Sequence, residues 1–515
     1  MFEFHLILAI TSLVSIVIFC AAGIAISWAD CRTPKFTFDY FLTARKQHAF
    51  HIAAWSFYSA TIGAWVLIAP VRFADDPLTG TGYVGLISYA FFSGFPVMAF
   101  AAMGGHIRTH VSNVRTLGCY ARWRFGSVAQ LFVTCVVILN TAVGLIAEYS
   151  VISGIFELVL NMPGWVGVIG IGCSSMLFIV FGGLPGTIKL VQWQSICALL
   201  CLSAAAIYMT ILYKDILLPP LPLYLDATPA GYKSIFSLGI ALTSSTFFSD
   251  AIWQRMWACD SIESVYSGGF LGGLMTFVVV GFFGFGGILS YWVGGNALPI
   301  DGNPNNAFLS VLNGPQGQAN VVVVICVMIF VILTSQASVA SMQNGITSTV
   351  TTLFDHYGTR FTIIVTRVMV VVVNLPIMFI TFANYDIVSL FLVPSMINAC
   401  CFFPFLAGVM TPFHGLISEL SVLFACGFSI LSVAVFGFIV IGNSSGFGYF
   451  IYRCYDWRAF MVAVVASLIG LALCALIEIG VRTALGYKKI RCPKLVSVKN
   501  VTKVNVTKVN VGLRR

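Results

Sequence analysis

Charged residues are scarce in this chain, and their scarcity excludes a soluble fold. Only 9% of the 515 residues are Asp, Glu, Lys or Arg, whereas 59% are hydrophobic. A soluble domain usually contains about 25% charged residues, so this chain could not cover itself with a water-facing surface. The abundant residues include 44 Phe and 47 Gly, which suit helices that face lipid and pack closely at glycine.

The motifs of common catalytic and redox sites are also missing. There is no CxxC pair, no GxSxG nucleophile motif and no Walker-type phosphate loop. The 15 cysteines fall mostly within apolar runs, where cysteine behaves as a small hydrophobe, so we expect no disulfide framework. We therefore expect no enzyme activity, no bound cofactor and no nucleic-acid partner.

Long apolar stretches make up most of the chain. A transmembrane helix needs roughly 20 mainly apolar residues, and about thirteen stretches meet this condition. They lie at 5–28, 50–70, 81–104, 128–158, 163–182, 190–213, 233–254, 265–291, 320–353, 359–381, 383–411, 418–442 and 459–483. The N-terminus lacks the basic region of a secretory signal, so the first stretch is predicted to be a retained helix. The pattern predicts an all-α integral membrane protein.

The positions of Lys and Arg predict the orientation, because these residues accumulate on the cytoplasmic side of a membrane. If the N-terminus is outside, most of the 27 Lys and Arg fall in cytoplasmic loops or in the basic tail at 487–515. That tail repeats VTKVN at 501–510 and is predicted to be disordered and to lie near anionic lipid. We expect a plasma-membrane protein with its C-terminus in the cytoplasm.

The span at 50–70 is interrupted by polar and helix-breaking residues. Ser56, Ser59 and Thr61 accompany Gly63 among aromatic side chains. Glycine among small hydroxyl residues permits local unwinding, and an unwound turn exposes carbonyls that can bind a cation. The alternative is that the hydroxyls bond to their own helix and that Gly63 packs against a neighbour.

Two further spans contain polar groups at membrane depth. Asp250 lies near the end of the span at 233–254, and intramembrane carboxylates are costly enough to indicate function. Alternatively, Asp250 pairs with Arg255 near the cytoplasmic face.

The span at 320–353 has hydroxyl residues at near-helical spacing, and hydroxyl oxygens suit a hard cation such as Na⁺. The alternative there is a Ser/Thr-lined packing seam between helices.

Several strings, taken in order, resemble the sodium:solute symporter family. They are FDYFLTARK (38–46), RTLGCYARWRFGS (115–127), FGGLPGTIKLVQWQS (181–195), QASVASMQNGITSTVTTLFDHY (336–357) and FFPFLAGVM (402–410). Within that family, SDAIWQRMWA (249–258) and AAWSFYSATIG (53–63) look like the active urea permease branch. In the first of these strings the acid lies one position away from its place in that branch, at Asp250.

The resemblance implies a LeuT-like core of two inverted five-helix repeats. The spans at 50–70 and 233–254 lead the repeats, both break near the midplane, and solute binds between the breaks. With the predicted helices, this gives an extra N-terminal helix at 1–30, a transporter core at 31–412, additional helices at 413–486 and the tail at 487–515.

The resemblance also implies a sodium site between the first broken helix and the polar half of the span at 320–353. Its ligands would be the backbone carbonyls of Ser59, Ile62 and Thr334 and the side chains at positions 337 and 338. Ser338 supplies a hydroxyl, but Ala337 stands where the family usually has Ser. One oxygen ligand is therefore missing, and H⁺ becomes an alternative coupling ion.

We expect the solute to contact residues at both breaks, with Asp250 also a candidate proton carrier. These residues are Trp55, Thr61, Trp65, Ser249, Asp250 and Trp253. The pattern predicts a secondary active symporter that takes up urea or another small amide- or amine-like solute with Na⁺ or H⁺. A non-concentrating solute sensor, suggested by Ala337 and the repetitive tail, and a passive channel are alternatives on the same fold.

Overall fold

The computed structural model describes residues 2–485 except for short gaps at 33–36, 76–79, 112–113, 295–303, 315–316, 318–319, 355–358, 384–386, 411–412, 414–415 and 453–455. The basic tail at 487–515 lies outside the described residues. The described residues form helices joined by short loops, and the backbone of His48 pairs with Cys259 in an isolated parallel bridge.

The α-helices of the described residues differ widely in length, and some of them are the two halves of one broken span. In chain order they are α1 (Phe2–Cys31), α2 (Phe38–Thr43), α3 (Phe50–Thr61), α4 (Ala69–Asp75), α5 (Gly82–His110), α6 (Leu117–Arg124), α7 (Ser127–Leu158), α8 (Gly164–Tyr213), α9 (Pro229–Phe247), α10 (Asp250–Ala258), α11 (Ile262–Val293), α12 (Ala307–Val311), α13 (Val321–Thr351), α14 (Thr359–Thr381), α15 (Ile387–Val409), α16 (Glu419–Ile441), α17 (Gly446–Tyr452) and α18 (Trp457–Leu485).

Every apolar stretch that the sequence predicts to cross the membrane contains a helix or a broken helix. Within the described ranges, 9 helices are long and apolar enough to span a bilayer, and α9 with α10 forms a further span bent by 59°. The shorter α3 and α4 form another broken span, and α15 has 23 residues, which is sufficient length for a crossing.

Helix α8 contains two spans rather than one. Its 50 residues extend about 75 Å at 1.5 Å per residue, more than twice the thickness of the hydrocarbon core. The helix bends at Gly183, where φ is 59° and a Cβ would lie 2.4 Å from the carbonyl oxygen of Phe41. The sequence predicts a loop between spans at 163–182 and 190–213. The structure has a single-residue turn instead, because glycine adopts this left-handed conformation without strain.

The spans after α1 fall into two sets of five. The first set comprises α3 with α4, then α5, α7 and the two parts of α8, and the second comprises α9 with α10, then α11, α13, α14 and α15. Each set begins with a broken helix. After them, α16 packs against α18.

Helix α13 lies at the centre of the molecule. It packs against α3, α7, α8, α10 and α14. In its most apolar window 72% of the residues are buried, compared with 28% in α16, which faces outward. The polar side chains of α13 therefore face other helices rather than lipid.

Candidate functional site

The first helix of the first set is broken at the glycine that the sequence indicates. Helix α3 ends at Thr61, and Ile62 and Gly63 have extended backbone conformations. A 3-10 helix, Ala64–Leu67, then leads into α4. The break leaves backbone N–H and C=O groups without helical partners, so neighbouring side chains or a ligand must satisfy them.

A buried acid from α7 occupies this break. Glu148 is 1% exposed, and its Oε1 accepts a hydrogen bond from the N–H of Ala64 at 2.5 Å. A Cβ at Gly63 would lie 2.5 Å from Oε2 of the same carboxylate, so the absence of a side chain at Gly63 makes room for Glu148. The motif-based prediction missed Glu148. Its signal was an acid in the middle of an apolar span, which is a functional indication by itself.

Two amides satisfy the break in the other leading helix. Between α9 and α10, Phe248 and Ser249 depart from helical geometry. Asn140 on α7 donates from Nδ2 to the carbonyls of Ser245 and Phe248 at 3.2 and 3.3 Å. Asn398 on α15 donates to Asn140 Oδ1 at 2.7 Å. The sequence-based prediction missed both asparagines, since neither belongs to a recognisable motif.

Asp250 is fully buried at the start of α10, and both of its oxygens have partners. Oδ1 accepts a hydrogen bond from the N–H of Leu117 at 2.9 Å, and Oδ2 accepts one from the hydroxyl of Thr349. Asp250 therefore connects α10 to α6 and α13. In the described part of the chain no ion pair joins Asp250 to Arg255, so the alternative prediction of such a pair is wrong.

Arg255 instead connects the two broken helices. It is 1% exposed and donates to the carbonyl of Ser56 on α3, to the carbonyl of Ala251 on α10 and to Oγ of Ser341 on α13, each at 2.6 Å. Nearby, the N–H of His48 donates to the carbonyl of Ala258 at 3.1 Å. These bonds close the site at the end that the predicted topology assigns to the cytoplasm.

The residues predicted to hold sodium are buried along the contact between α3 and α13. Ser59, Ile62, Thr334, Ala337 and Ser338 are each at most 3% exposed. The hydroxyls of Ser59 and Thr334 bond to carbonyls of their own helices. The hydroxyl of Ser338 has no hydrogen-bond partner among the described residues. The ligand set itself stays a prediction.

The residues predicted to bind solute divide between the two breaks. At the first break, Oγ1 of Thr61 lies 2.9 Å from Oγ1 of Thr276 on α11, and Nε1 of Trp65 donates to the carbonyl of Thr61. Trp55, on α3, packs edge-on against Tyr58 with the ring centroids 6.5 Å apart.

At the second break, Ser249 is half-buried immediately before Asp250. Trp253 is fully buried, donates from Nε1 to the carbonyl of Phe247 at 2.9 Å and packs against the ring of Tyr120. Its surroundings are those of an interior packing residue. The solute-binding roles of all six residues stay predictions.

The amides in the polar half of α13 hold this helix against its neighbours, whereas the alternative prediction was a seam lined by Ser and Thr. Gln336 donates to Oγ of Ser174 at 2.7 Å, and Gln343 donates to the hydroxyl of Tyr149 at 3.0 Å. Because these bonds hold α13 to α8 and α7, the amides have a structural role in helix packing. Ser335 and Ser338 differ, since neither hydroxyl has a partner in the described ranges.

Two sets of five spans, each led by a broken helix, define this chain as an integral membrane protein with the LeuT-like fold. Solved structures agree. The chain is similar to a Na⁺-coupled sialic acid symporter in its substrate-bound outward-open state, with a TM-score of 0.70 and 12% identity over 91% of this chain and 98% of that one. It is also similar to Mhp1, a nucleobase-cation-symport-1 family transporter, with a TM-score of 0.51 and 14% identity over 87% and 96% of the two chains. The predicted fold class is confirmed.

A spermidine transporter, DUR31 of Candida albicans, is 22% identical over 431 residues, which are 82% of this chain and 80% of the relative. No protein-family model matches the chain. Because these relatives are transporters, the prediction that the chain is not an enzyme is confirmed. None of them is described as a urea permease.

Proposed function

We propose that this protein is a secondary active transporter for small amine-bearing solutes of the polyamine class. The observation that carries the proposal is the similarity to a spermidine transporter along four-fifths of both chains. Polyamines are cations, and the two breaks have buried acids beside them, Glu148 and Asp250. Aromatic side chains such as Trp55 and Trp65 accompany them, and aromatic faces attract ammonium groups.

Transport would use the two breaks as the two sides of one site. Solute binds between them, and the repeats rock so that the site opens first to one side of the membrane and then to the other. The bonds of Arg255 to α3 and α13 close one end, and they must separate when the site opens there. Binding of the coupling ion and of the solute would each favour particular states, which couples their movements.

Sodium coupling would use Ser59, Ile62, Thr334 and Ser338, with Ala337 in place of an oxygen ligand. Replacing Ala337→Ser adds that oxygen and should increase the dependence of uptake on sodium, because hard cations bind more tightly with more oxygen ligands. The measurement is uptake as a function of sodium concentration in proteoliposomes. Ala340→Ser, one turn further along α13, is the control. An unchanged sodium dependence in Ala337→Ser would contradict the predicted ligand set and favour H⁺.

Counterflow in proteoliposomes tests the class of solute. Vesicles loaded with unlabelled spermidine, urea, proline or a sugar receive a trace of the same radiolabelled compound outside. A carrier exchanges its own solute and concentrates the label transiently, whereas a channel does not. We expect exchange with spermidine. Exchange with urea alone would restore the urea hypothesis, and saturable spermidine binding without exchange would favour a sensor.

A further inference from the structure

Glu148 differs from the other buried charged groups near the breaks. Both oxygens of Asp250 accept hydrogen bonds, and the guanidinium of Arg255 donates three. Glu148 accepts one from Ala64 through Oε1, while its Oε2 is buried and has no hydrogen-bond partner among the described residues. Burial of a carboxylate is unfavourable unless donors or a cation compensate its charge. Glu148 is thus the acid at the breaks with an acceptor site to spare.

A hydroxyl lies close to this carboxylate. The side chain of Ser335 on α13 is completely buried and near enough to donate to Glu148, although its Oγ makes no hydrogen bond of regular geometry within the described ranges. A carboxylate and a hydroxyl both accept hydrogen bonds, and an ammonium group offers several donors. Trp65 follows the break directly, and its ring lies 6.0 Å from that of Tyr89. An ammonium group therefore matches both the charge and the surroundings of this position.

The same carboxylate disfavours anionic solutes. Helix breaks in transporters of this fold expose backbone N–H groups that can bind the anionic group of a substrate. Here the N–H of Ala64 already binds Glu148. A solute carboxylate arriving at this break would meet the negative charge of Glu148 instead of a free donor.

A small cavity lies on one side of this position, near the residues that follow Glu148 on α7. The cavity has a volume of about 30 Å³ and is lined by Leu67 and Ile68 at the end of the 3-10 helix, and by Ser150 and Val151 on α7. The predicted topology places this side outside. The bonds around Arg255 lie toward the opposite end of the site.

We propose that Glu148 binds an ammonium group of the solute, and that its charge selects amines over the same molecules carrying a carboxylate. The inference rests on the proposed function, since it assumes that an amine enters the site. It adds the residue that recognises the amine and the class of solute that the site rejects.

Putrescine and ornithine form a matched pair for the test, because ornithine is putrescine with an added carboxylate. Their binding to purified full-length protein is measured by ligand-induced thermal stabilisation, and their transport by counterflow. Glu148→Gln removes the charge and keeps the shape, and Glu148→Asp keeps the charge. Glu157→Gln is the control, because Glu157 is exposed on the same helix.

We expect the wild-type protein to prefer putrescine. Glu148→Gln should weaken putrescine binding at least about tenfold, a typical effect of removing one partner of a buried charged pair. It should also reduce the preference over ornithine, while Glu148→Asp retains that preference and Glu157→Gln matches the wild type. If Glu148→Gln folds poorly, Ser335→Ala provides the second test. It should weaken putrescine several-fold.

Each contrary result has a distinct meaning. Spermidine exchange by the wild type with unchanged amine binding in Glu148→Gln overturns the role of Glu148 and leaves the proposed function intact. Loss of only the sodium or proton dependence in Glu148→Gln assigns the residue to the coupling ion and overturns the inference. Absence of any amine binding by the wild type refutes both proposals. Unchanged putrescine affinity in Ser335→Ala contradicts the proposed pair of oxygens.

Discussion

At the scale of single residues, the buried polar side chains near the breaks are of two kinds. Some make several hydrogen bonds, and others keep an oxygen without a hydrogen-bond partner. Asp250, Asn140 and Arg255 bond to several helices, and their partners hold the broken spans in place. Glu148 and Ser338 retain oxygens without partners among the described residues. Since unpaired buried polar groups are energetically costly, we propose that the second group binds the solute or the ion.

Gly63 offers a direct test of the contact between the first break and α7. In Gly63→Ala the added Cβ would lie 2.5 Å from Oε2 and 2.6 Å from Oε1 of Glu148. The carboxylate or the break must move, so we expect transport to fall at least about tenfold and stability to fall by about 1–3 kcal/mol. Counterflow and thermal unfolding measure the two effects.

Gly427→Ala on α16 is the control, because a Cβ at Gly427 meets nothing within 4 Å. Normal transport by Gly63→Ala would show that Glu148 need not occupy its observed position.

The composition and order of residues predict part of this site but not all of it. Gly63 among hydroxyl residues predicts the first break, because local chemistry determines where a helix unwinds. Glu148, Asn140 and Asn398 escape motif-based prediction, since their importance arises from contacts between helices distant in sequence. Glu148 could have been found by treating any acid inside an apolar span as a candidate.

At the scale of elements, the two broken helices are joined at one end by hydrogen bonds. Arg255 links α10 to α3 and α13, and backbone hydrogen bonds join Lys46 to Trp257 and His48 to Ala258. The length of the apolar stretches predicts the spans well, since the hydrocarbon core of the bilayer sets that length. It does not predict which ends of the spans are bonded together, because these contacts depend on helix packing.

Arg255→Gln should loosen the closed end. The shorter amide cannot make all three hydrogen bonds, and each lost bond leaves a buried carbonyl or hydroxyl unpaired at a cost of about 1–3 kcal/mol. We expect faster maleimide labelling of Cys259, which is buried and bonds to the Arg255 carbonyl, read by mass spectrometry of the purified protein.

The control is Arg122→Gln, which changes an exposed arginine on α6. Equal labelling rates in wild type and Arg255→Gln would mean that Arg255 does not keep this end closed.

At the scale of the whole molecule, the distribution of Lys and Arg predicts the N-terminus outside and the basic tail in the cytoplasm. Epitope tags at the two ends test this orientation. We expect antibody to reach an N-terminal tag on intact cells and a C-terminal tag only after permeabilisation. Detection of both tags on intact cells would contradict an odd number of crossings.

We propose that this LeuT-like fold couples the uptake of an amine to an ion gradient. The most direct measurement is the accumulation of radiolabelled spermidine by proteoliposomes with an imposed inward sodium or proton gradient. We expect an internal spermidine concentration above the external one, and the loss of this accumulation when an ionophore dissipates the gradient. Uptake that only reaches equality with the outside under either gradient would contradict this proposal.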